Sequence, residues 1–301
     1  MGAAADMMMP ELRGELRFHE PMARHVSWRA GGEARRYFVP ADLADLGLLL
    51  ASLPHDEEIL WIGLGSNTLV RDTGFDGTVI ALQGILNKLE RLDADRVYAG
   101  AGVSGAKLAR FCAKEGLVGA EFFAGIPGLV GGALAMNAGA FGGETWRHVI
   151  SVETIDRSGV QHRRLAEEYQ AGYRRVTGPA DEWFTAAVFK FEQGDGARAS
   201  ATVKQLLARR AETQPMGAAS CGSVFTNPQN DYAARLIEAS GLKGYRIGGA
   251  VVSDKHANFI LNDDHATASD IELLIKHVQK TVLERQGVML QTEVRIVGGE
   301  R

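Results

Sequence analysis

Cysteine is scarce in this chain: Cys112 and Cys221 are the two among 301 residues. That excludes a disulfide-stapled scaffold. Proline is sparse too, with eight residues, so the chain is not of a low-complexity or collagen-like kind. Positive charge is not in surplus. Lys and Arg number 33 against 37 Asp and Glu, a net charge of -4, and that balance does not suit a protein that neutralises nucleic-acid phosphates. A basic leader running into a long apolar stretch is also missing, since Asp6 stands where the basic region belongs. The reading is a cytosolic protein. One stretch, Phe122 to Gly143, carries no charge over 22 residues. It holds seven glycines, Pro127 and Asn137. In a helix each glycine costs about 1 kcal/mol and a proline about 3 kcal/mol, so the stretch reads as a buried, loop-rich segment and not as a membrane span.

Glycine is what the chain has in excess: 36 of 301 residues, about 12% where about 7% is usual. The length suits two to three domains or subdomains around a large core. Helices are predicted over 41–53, 105–114 and 202–212, and strands over 59–62, 78–82, 96–99, 151–156 and 185–192. Residues 1–18 read as a loosely constrained leader. The last helix is the clearest element. Ile271, Leu274, Ile275, Val278 and Val282 form one apolar stripe, Ser269 and Glu272 read as its capping box, and Gly287 as its stop. A half-buried strand follows over 293–297, with Glu293 and Arg295 on its polar side. Helices and strands are interspersed, so the class is α/β or α+β.

Three glycine-rich segments and a few isolated polar residues are the candidates for chemistry. Gly63-Leu64-Gly65-Ser66-Asn67-Thr68 follows a buried strand. Such a turn can present successive amides to an anion. It lacks the third glycine of a dinucleotide fingerprint, and Gly100–Lys107 fails as a phosphate loop because Ala106 precedes Lys107. The run from Ala124 to Ala133, with Met136-Asn137-Ala138-Gly139-Ala140 after it, offers backbone amides suited to a pyrophosphate or a flavin edge. It reads equally as a small-residue packing segment. Ser223 lies in Ser220-Cys221-Gly222-Ser223-Val224-Phe225; without Gly-x-Ser-x-Gly it is no nucleophile elbow, which leaves a proton donor or a turn residue. Tyr173-Arg174, His256 and Glu293 each have an ordinary surface reading beside a functional one. His256 has no companions at metal-ligand spacing, so no metal site is expected.

Taken together and in order, these segments resemble the UDP-N-acetylenolpyruvoylglucosamine reductase family. The matching runs are Gly63-x-Gly-Ser-Asn-x-Leu-Val, Asp72-x-Gly-Phe-x-Gly, Glu121 to Ala133, Met136-Asn-Ala-Gly-Ala, Gly222-Ser-Val-Phe-x-Asn227-Pro, Gly241-Leu-Lys-Gly, Lys255-His-Ala-Asn and Glu293-Val-Arg. The likeness covers roughly Ser27 to Gly298, and the chain looks like the family's shorter subtype. It implies an α+β fold with an FAD-binding part of the vanillyl-alcohol-oxidase (PCMH) type, made of two α+β subdomains, plus a third α+β subdomain for substrate. The implied boundaries are 19–80 with the C-terminal strand 292–301, then 81–204, then 205–291.

The resemblance further implies a monomeric, cytoplasmic enzyme of peptidoglycan precursor synthesis, without nucleic-acid or membrane partners. It would use NADPH to reduce the enolpyruvyl ether of a UDP-sugar to UDP-N-acetylmuramate, through non-covalent FAD. Hydride would reach C3 from the flavin N5, and charge would build at C2. Arg174 would clamp the substrate carboxylate, Glu293 would sit near the developing charge with its pKa raised by burial, and Ser223 would protonate C2. The cofactor would lie on Gly63, Gly65, Ser66, Asn67, Thr68, Gly125, Ile126, Pro127, Gly128, Gly131, Gly132, Asn137, Ala138 and Gly139. Tyr173, Asn227 and His256 would touch substrate. Two positions depart from the family pattern: Thr213 replaces a lysine before Gln214-Pro215, and Val176 replaces a serine after Tyr173-Arg174. The alternatives are a related FAD-dependent oxidase and a catalytically silent flavin- or nucleotide-sugar-binding protein.

Overall fold

The computed structural model describes residues 10–299. The first sheet has four strands in the order Glu15–Pro21, Glu33–Val39, Phe75–Ala81, Ile59–Ile62. The last three run parallel, and Glu15–Pro21 is antiparallel to Glu33–Val39. Helix α1 (Leu43–Ser52) connects within this sheet, N-capped by Asp42, whose side chain accepts from the Asp45 amide. Its Leu46, Leu49 and Leu50 are fully buried against Phe38 and Ile80.

The second sheet has five strands, all antiparallel, in the order Gln161–Leu165, Val149–Asp156, Glu182–Lys190, Arg96–Gly100, Leu89–Arg91. Helices α2 (Gly105–Lys114), α3 (Val130–Ala135) and α4 (Gly196–Thr213) accompany it. Small residues such as Ala99, Ala109, Ala133 and Ala187 fill its core beside Phe123 and Phe189, which lets helix and sheet backbones approach closely.

The third layer is a short antiparallel sheet, Arg246–Ile247, Ala250–Val252, Ile260–Asn262, with α5 (Ala233–Ala239) and α6 (Ala268–Gln286). The predicted stripe of α6 is buried as expected, and Gly287 stops the helix at φ 70. This core also takes in Trp28 and Leu69 from the first part of the chain. The Trp28 Nε1 donates to the Ile260 carbonyl at 2.7 Å, and Asn262 Nδ2 donates to the Trp28 carbonyl at 2.8 Å. Two strands far apart in sequence close the fold: Arg295–Val297 pairs in parallel with Thr68–Val70.

Several sequence expectations are corrected. The capping box of α6 is Thr267 with Asp270. Ser269 and Glu272 already lie inside the helix: Ser269 donates to Asp72 through its amide and hydroxyl, and Glu272 receives the Arg71 guanidinium. Helix α4 begins at Gly196, six residues before the expected 202, because Asp195 caps the amides of Ala197 and Arg198. The expected leader is a strand from Glu15 onward. Its alternation is weak, with Phe18 exposed, and the pairing partner supplies the order; residues 1–9 lie outside the described chain. The final strand is shorter than expected, covering Arg295–Val297, because the Glu293 amide is turned toward Val224. The uncharged run is not all loop: it holds a 3-10 turn at Glu121–Gly125 and helix α3.

Trp28 joins the first and third parts by packing and by two hydrogen bonds. Trp28→Ala should cost about 3–5 kcal/mol, read as a lower urea midpoint, with its cofactor-free and cofactor-loaded forms both affected.

Candidate active site

The site is built where the first sheet's parallel strand Ile59–Ile62 ends, the usual place for ligands in sheets with parallel strands. The turn after it needs Gly65. Its φ is +59, and a Cβ there would fall 2.1 Å from the His25 carbonyl oxygen. Among the described residues no backbone hydrogen bond is donated by the amides of Gly65, Ser66 or Asn67. They form a set of donors that suits an anion. Ser66 Oγ donates to the Pro127 carbonyl at 2.6 Å, so the first two glycine-rich segments touch. The Cys221 thiol donates to the Gly65 and Thr68 carbonyls at 3.3 and 3.5 Å, which brings the third segment against the same turn. Burial pushes both Cys221 and Cys112 up to about 12, so both thiols are inert packing groups.

Arg174 sits in the two-residue loop of a hairpin, Gln170–Gly172 paired with Arg175–Thr177. Its φ of 56 is the left-handed conformation such tight loops require. The hairpin is pinned by Asn137 Nδ2, which donates to the Gly172 carbonyl at 3.0 Å. Arg174 Nε then donates to Glu293 Oε1 at 2.9 Å, while Nη2 and Nη1 make longer contacts to the Gly139 and Asn137 carbonyls, 3.2 and 3.5 Å. The guanidinium also lies over the Tyr173 ring, 5.1 Å from its centroid.

Glu293 is fixed by its backbone. Its amide donates to the Val224 carbonyl at 2.8 Å, and its carbonyl accepts from Asn67 Nδ2 at 3.1 Å. Ser223 is therefore one residue from the segment that holds Glu293. Its hydroxyl makes no hydrogen bond to the described residues, and its side chain is half-buried. Burial pushes the Glu293 carboxyl above its ordinary value, against the lowering influence of the Arg174 charge.

The structure thus joins Asn67, Asn137, Gly139, Arg174, Glu293 and the Ser223 segment. Tyr173 and Asn227 also meet, since the Asn227 amide donates to Tyr173 Oη at 3.2 Å. Asn227 Oδ1 accepts from Ala233 N at 3.1 Å, so its carbonyl is spent on the start of α5. His256 shares no hydrogen bond with Arg174 or Glu293 among the described residues. Its Nδ1 is buried with no partner among the described residues, its ring meets Phe259 edge-on, and burial lowers its pKa. Thr213 turns its hydroxyl onto the Arg209 carbonyl at 2.9 Å and does not take a lysine's place.

Sequence reasoning missed two sets of residues. Asn258 accepts from Val224 N through its carbonyl and from Phe225 N through Oδ1, and donates to the Phe225 carbonyl. It holds the serine segment in place; its signal was the matched Lys255-His-Ala-Asn run. The second set, Trp61, Trp183 and Tyr169, walls a cleft of about 320 Å³ beside the expected Gly63 and Gly132. Trp61 stacks on Trp183 at 5.2 Å. No spacing rule links these aromatics, so nothing in the sequence marks them. Among the described residues no group of three or more His, Cys, Asp or Glu side chains could hold a metal ion, and no helix among them is long and apolar enough to cross a membrane.

Residues 34–164 match the FAD binding domain family and residues 214–297 match the C-terminal domain of UDP-N-acetylenolpyruvoylglucosamine reductase. The chain is 59% identical to the UDP-N-acetylenolpyruvoylglucosamine reductase of Alkalilimnicola ehrlichii over 97% of its own length and 99% of the relative's. It is 54% identical to that of Thiobacillus denitrificans, covering 96% and 94%. Among solved structures it is similar to the reductase of Thermus caldophilus, with a TM-score of 0.80 at 30% identity, over 95% of this chain and 99% of that one.

A pH effect follows from Glu293. Its folded pKa is raised above the 4.5 of an unperturbed carboxyl, so the folded state holds this proton more tightly. That stabilisation is complete below pH 4.5 and is lost as pH rises through the raised value. Glu293→Gln, which cannot ionise, should therefore gain on wild type between pH 4 and pH 7 when their urea midpoints are compared; a constant difference would show that Glu293 does not titrate upward.

Proposed function

The chain belongs to the UDP-N-acetylenolpyruvoylglucosamine reductase family, and from that membership we propose how its residues carry the reaction. The enzyme is an FAD-containing, NADPH-dependent oxidoreductase of peptidoglycan synthesis. It reduces the enolpyruvyl ether of UDP-N-acetylglucosamine to the lactyl ether of UDP-N-acetylmuramate. The fold is the α+β arrangement with an FAD-binding part of the PCMH type. We assign 19–80 with 292–301 and 81–204 to the cofactor, and 205–291 to the substrate.

The residues present fit FAD. The undonated amides of Gly65, Ser66 and Asn67 suit its pyrophosphate. A Cβ on Gly132 would meet nothing within 4 Å, so the adjoining cleft is open. Trp61 Nε1 and Tyr169 Oη, on residues of the cleft wall, are buried and unpartnered among the described residues. The segments 63–68, 125–132 and 137–139 would hold the group. Held there, the group would supply the hydride transfer from NADPH to C3 of the enolpyruvyl group.

The arrangement of Arg174, Glu293 and the Ser223 segment carries the reading of the residues. Arg174 keeps one N–H on Glu293, and its two Nη contacts are long. Those are easily exchanged for a carboxylate, with which a guanidinium makes short, charge-assisted bonds. The clamp would neutralise charge that spreads into the substrate carboxylate as C2 becomes basic. Glu293, drawn toward its protonated form by burial, would stabilise the same charge by hydrogen bonding. Ser223 is the proton donor to C2. A hydroxyl is a poor acid, so it serves only a strongly basic carbon, and it must be reprotonated afterwards. Asn227 would offer substrate its amide NH₂, and Tyr173 and His256 would line the sugar and diphosphate path.

The test is anaerobic and separates two half-reactions. NADPH should bleach the flavin band of the wild-type protein, and the enolpyruvyl UDP-sugar should restore it. In Ser223→Ala the bleaching should stay within a few fold of wild type, while the return slows by about 10²–10⁴-fold. Equal loss in both steps would overturn the proton-donor role, and failure of the sugar to restore the wild-type band would favour the oxidase or the silent binding protein.

A further inference from the structure

One hairpin of the second sheet reaches across to the first. Its strands, Val149–Asp156 and Gln161–Leu165, turn through residues 157–160, and Asp156 shapes that turn. Asp156 Oδ1 accepts from the Ser158 amide at 2.8 Å, the Ser158 hydroxyl at 2.6 Å and the Val160 amide at 3.0 Å, and Oδ2 lies 2.7 Å from His162 Nε2. Gly159 then rests directly on α1. Its φ is +81, and a Cβ there would fall 2.4 Å from the Gly47 carbonyl oxygen; one on Gly47 would fall 3.0 Å from the Gly159 carbonyl oxygen. Beside this contact the half-buried Arg157 spreads its guanidinium over the loop that follows α1. Nη1 donates to the Pro54 carbonyl at 3.2 Å and Nη2 to the Glu57 carbonyl at 3.0 Å.

The loop it grips is itself tied to the first sheet. Glu57 is buried, and its carboxylate accepts from Arg35, Arg36 and the Thr78 hydroxyl, on two neighbouring strands of that sheet. Both ends of the tie lead to the cleft. Glu57 stands just before the strand Ile59–Ile62, which carries Trp61. On the other side, Ile155 precedes Arg157 by one turn of the pleat and pairs with Trp183. Trp61 and Trp183 stack at 5.2 Å, and both wall the cleft. Its two walls thus come from different sheets, and one guanidinium spans them. Apolar packing joins the sheets too, since Ile155 lies in one core with Leu46, Leu50 and Ile80. That packing is non-directional. Two N–H···O bonds from a planar fork are directional and fix a separation.

We propose that Arg157 is a positioning residue for the cofactor: by tying the tip 157–160 to the Pro54–Glu57 loop it sets the width of the cleft between Trp61 and Trp183, and with it the hold on FAD. This rests on the reading of the cleft as part of the FAD site and deepens it, because it names what keeps the two cofactor-binding parts of the chain in register. Arg157 touches neither substrate nor reacting atoms; it acts through the two walls.

The experiment uses FAD-loaded protein and has two readouts. One is the rate at which free-flavin fluorescence appears on dilution. The other is the circular-dichroism couplet of the stacked indoles, identified as the signal that Trp183→Phe removes. Arg157→Ala should release FAD about tenfold faster or more, the scale of losing one hydrogen bond from a charged donor, and should weaken the couplet. Arg157→Lys keeps the charge but cannot span both carbonyls, and should fall between the two. Arg91→Ala is the control. Arg91 also donates to backbone carbonyls, those of Asp93, Ala94 and Glu115, but on the far edge strand of the second sheet. It should leave release and couplet as in wild type even where it lowers the melting temperature. Wild-type release and couplet in folded Arg157→Ala overturn the proposal, as does an equal acceleration in Arg91→Ala. Should Arg157→Ala fail to fold, Arg157→Lys decides, and a wild-type release rate there overturns it. A wild-type protein that holds no FAD would instead sink the cofactor reading beneath the proposal, a result that no variant can imitate.

Discussion

A guanidinium and a carboxylate 2.9 Å apart, with 19% and 13% of their side chains exposed, hold this site together. Arg174 and Glu293 come from a hairpin tip and from the segment just before the last strand, 119 residues apart in sequence. Each must be withdrawn from water for the other to be useful, and each is held by backbone on its own side: Arg174 by the hairpin that Asn137 pins, Glu293 by Val224 and Asn67. If either anchor slips, a charge is left buried without a partner, which is far more costly than losing both. The same pair would set the chemistry we propose: Arg174 has N–H donors to offer a carboxylate, and Glu293 is pushed toward protonation by burial and pulled back by its neighbour.

Around that pair the three parts of the chain are stitched by contacts between distant segments. The Arg71–Glu272 ion pair and the Asp72 carboxylate on the amides of Ala268 and Ser269 dock α6 against the first part. Trp28 does the same from the other side, through the third core. Cys221 and Ser66 bind the glycine-rich segments to one another. The glycines there are required by close neighbours: a Cβ on Gly63 would fall 2.9 Å from the Leu129 side chain and one on Gly65 2.1 Å from the His25 carbonyl oxygen.

Much of the fold was legible. The stripe of α6, the bounds of α2 at 105–114, the strand at 59–62 and the glycine stop at 287 all come from local pattern, and local pattern is what periodicity reports. The errors have local causes as well. A capping box at Ser269 and Glu272 is as good a sequence as Thr267 with Asp270; the choice was made by Asp72 and Arg71, which arrive from elsewhere. Glu15–Pro21 has no clear alternation and is a strand because Glu33–Val39 offers it a partner.

The site divides in the same way. By itself the sequence determined which chemical groups were available: the glycine runs with their bare amides, the Tyr173-Arg174 dipeptide, Ser223 and Glu293, all recognisable as ordered motifs because each needs a particular residue at a particular place. Only the tertiary structure decided that Arg174 meets Glu293, that Asn258 holds the serine segment, and that Trp61 and Trp183 stack beside the cleft. Those facts are distances between residues tens to hundreds of positions apart, and desolvation of a charge depends on everything packed around it. Neither quantity is carried by any local run of the chain.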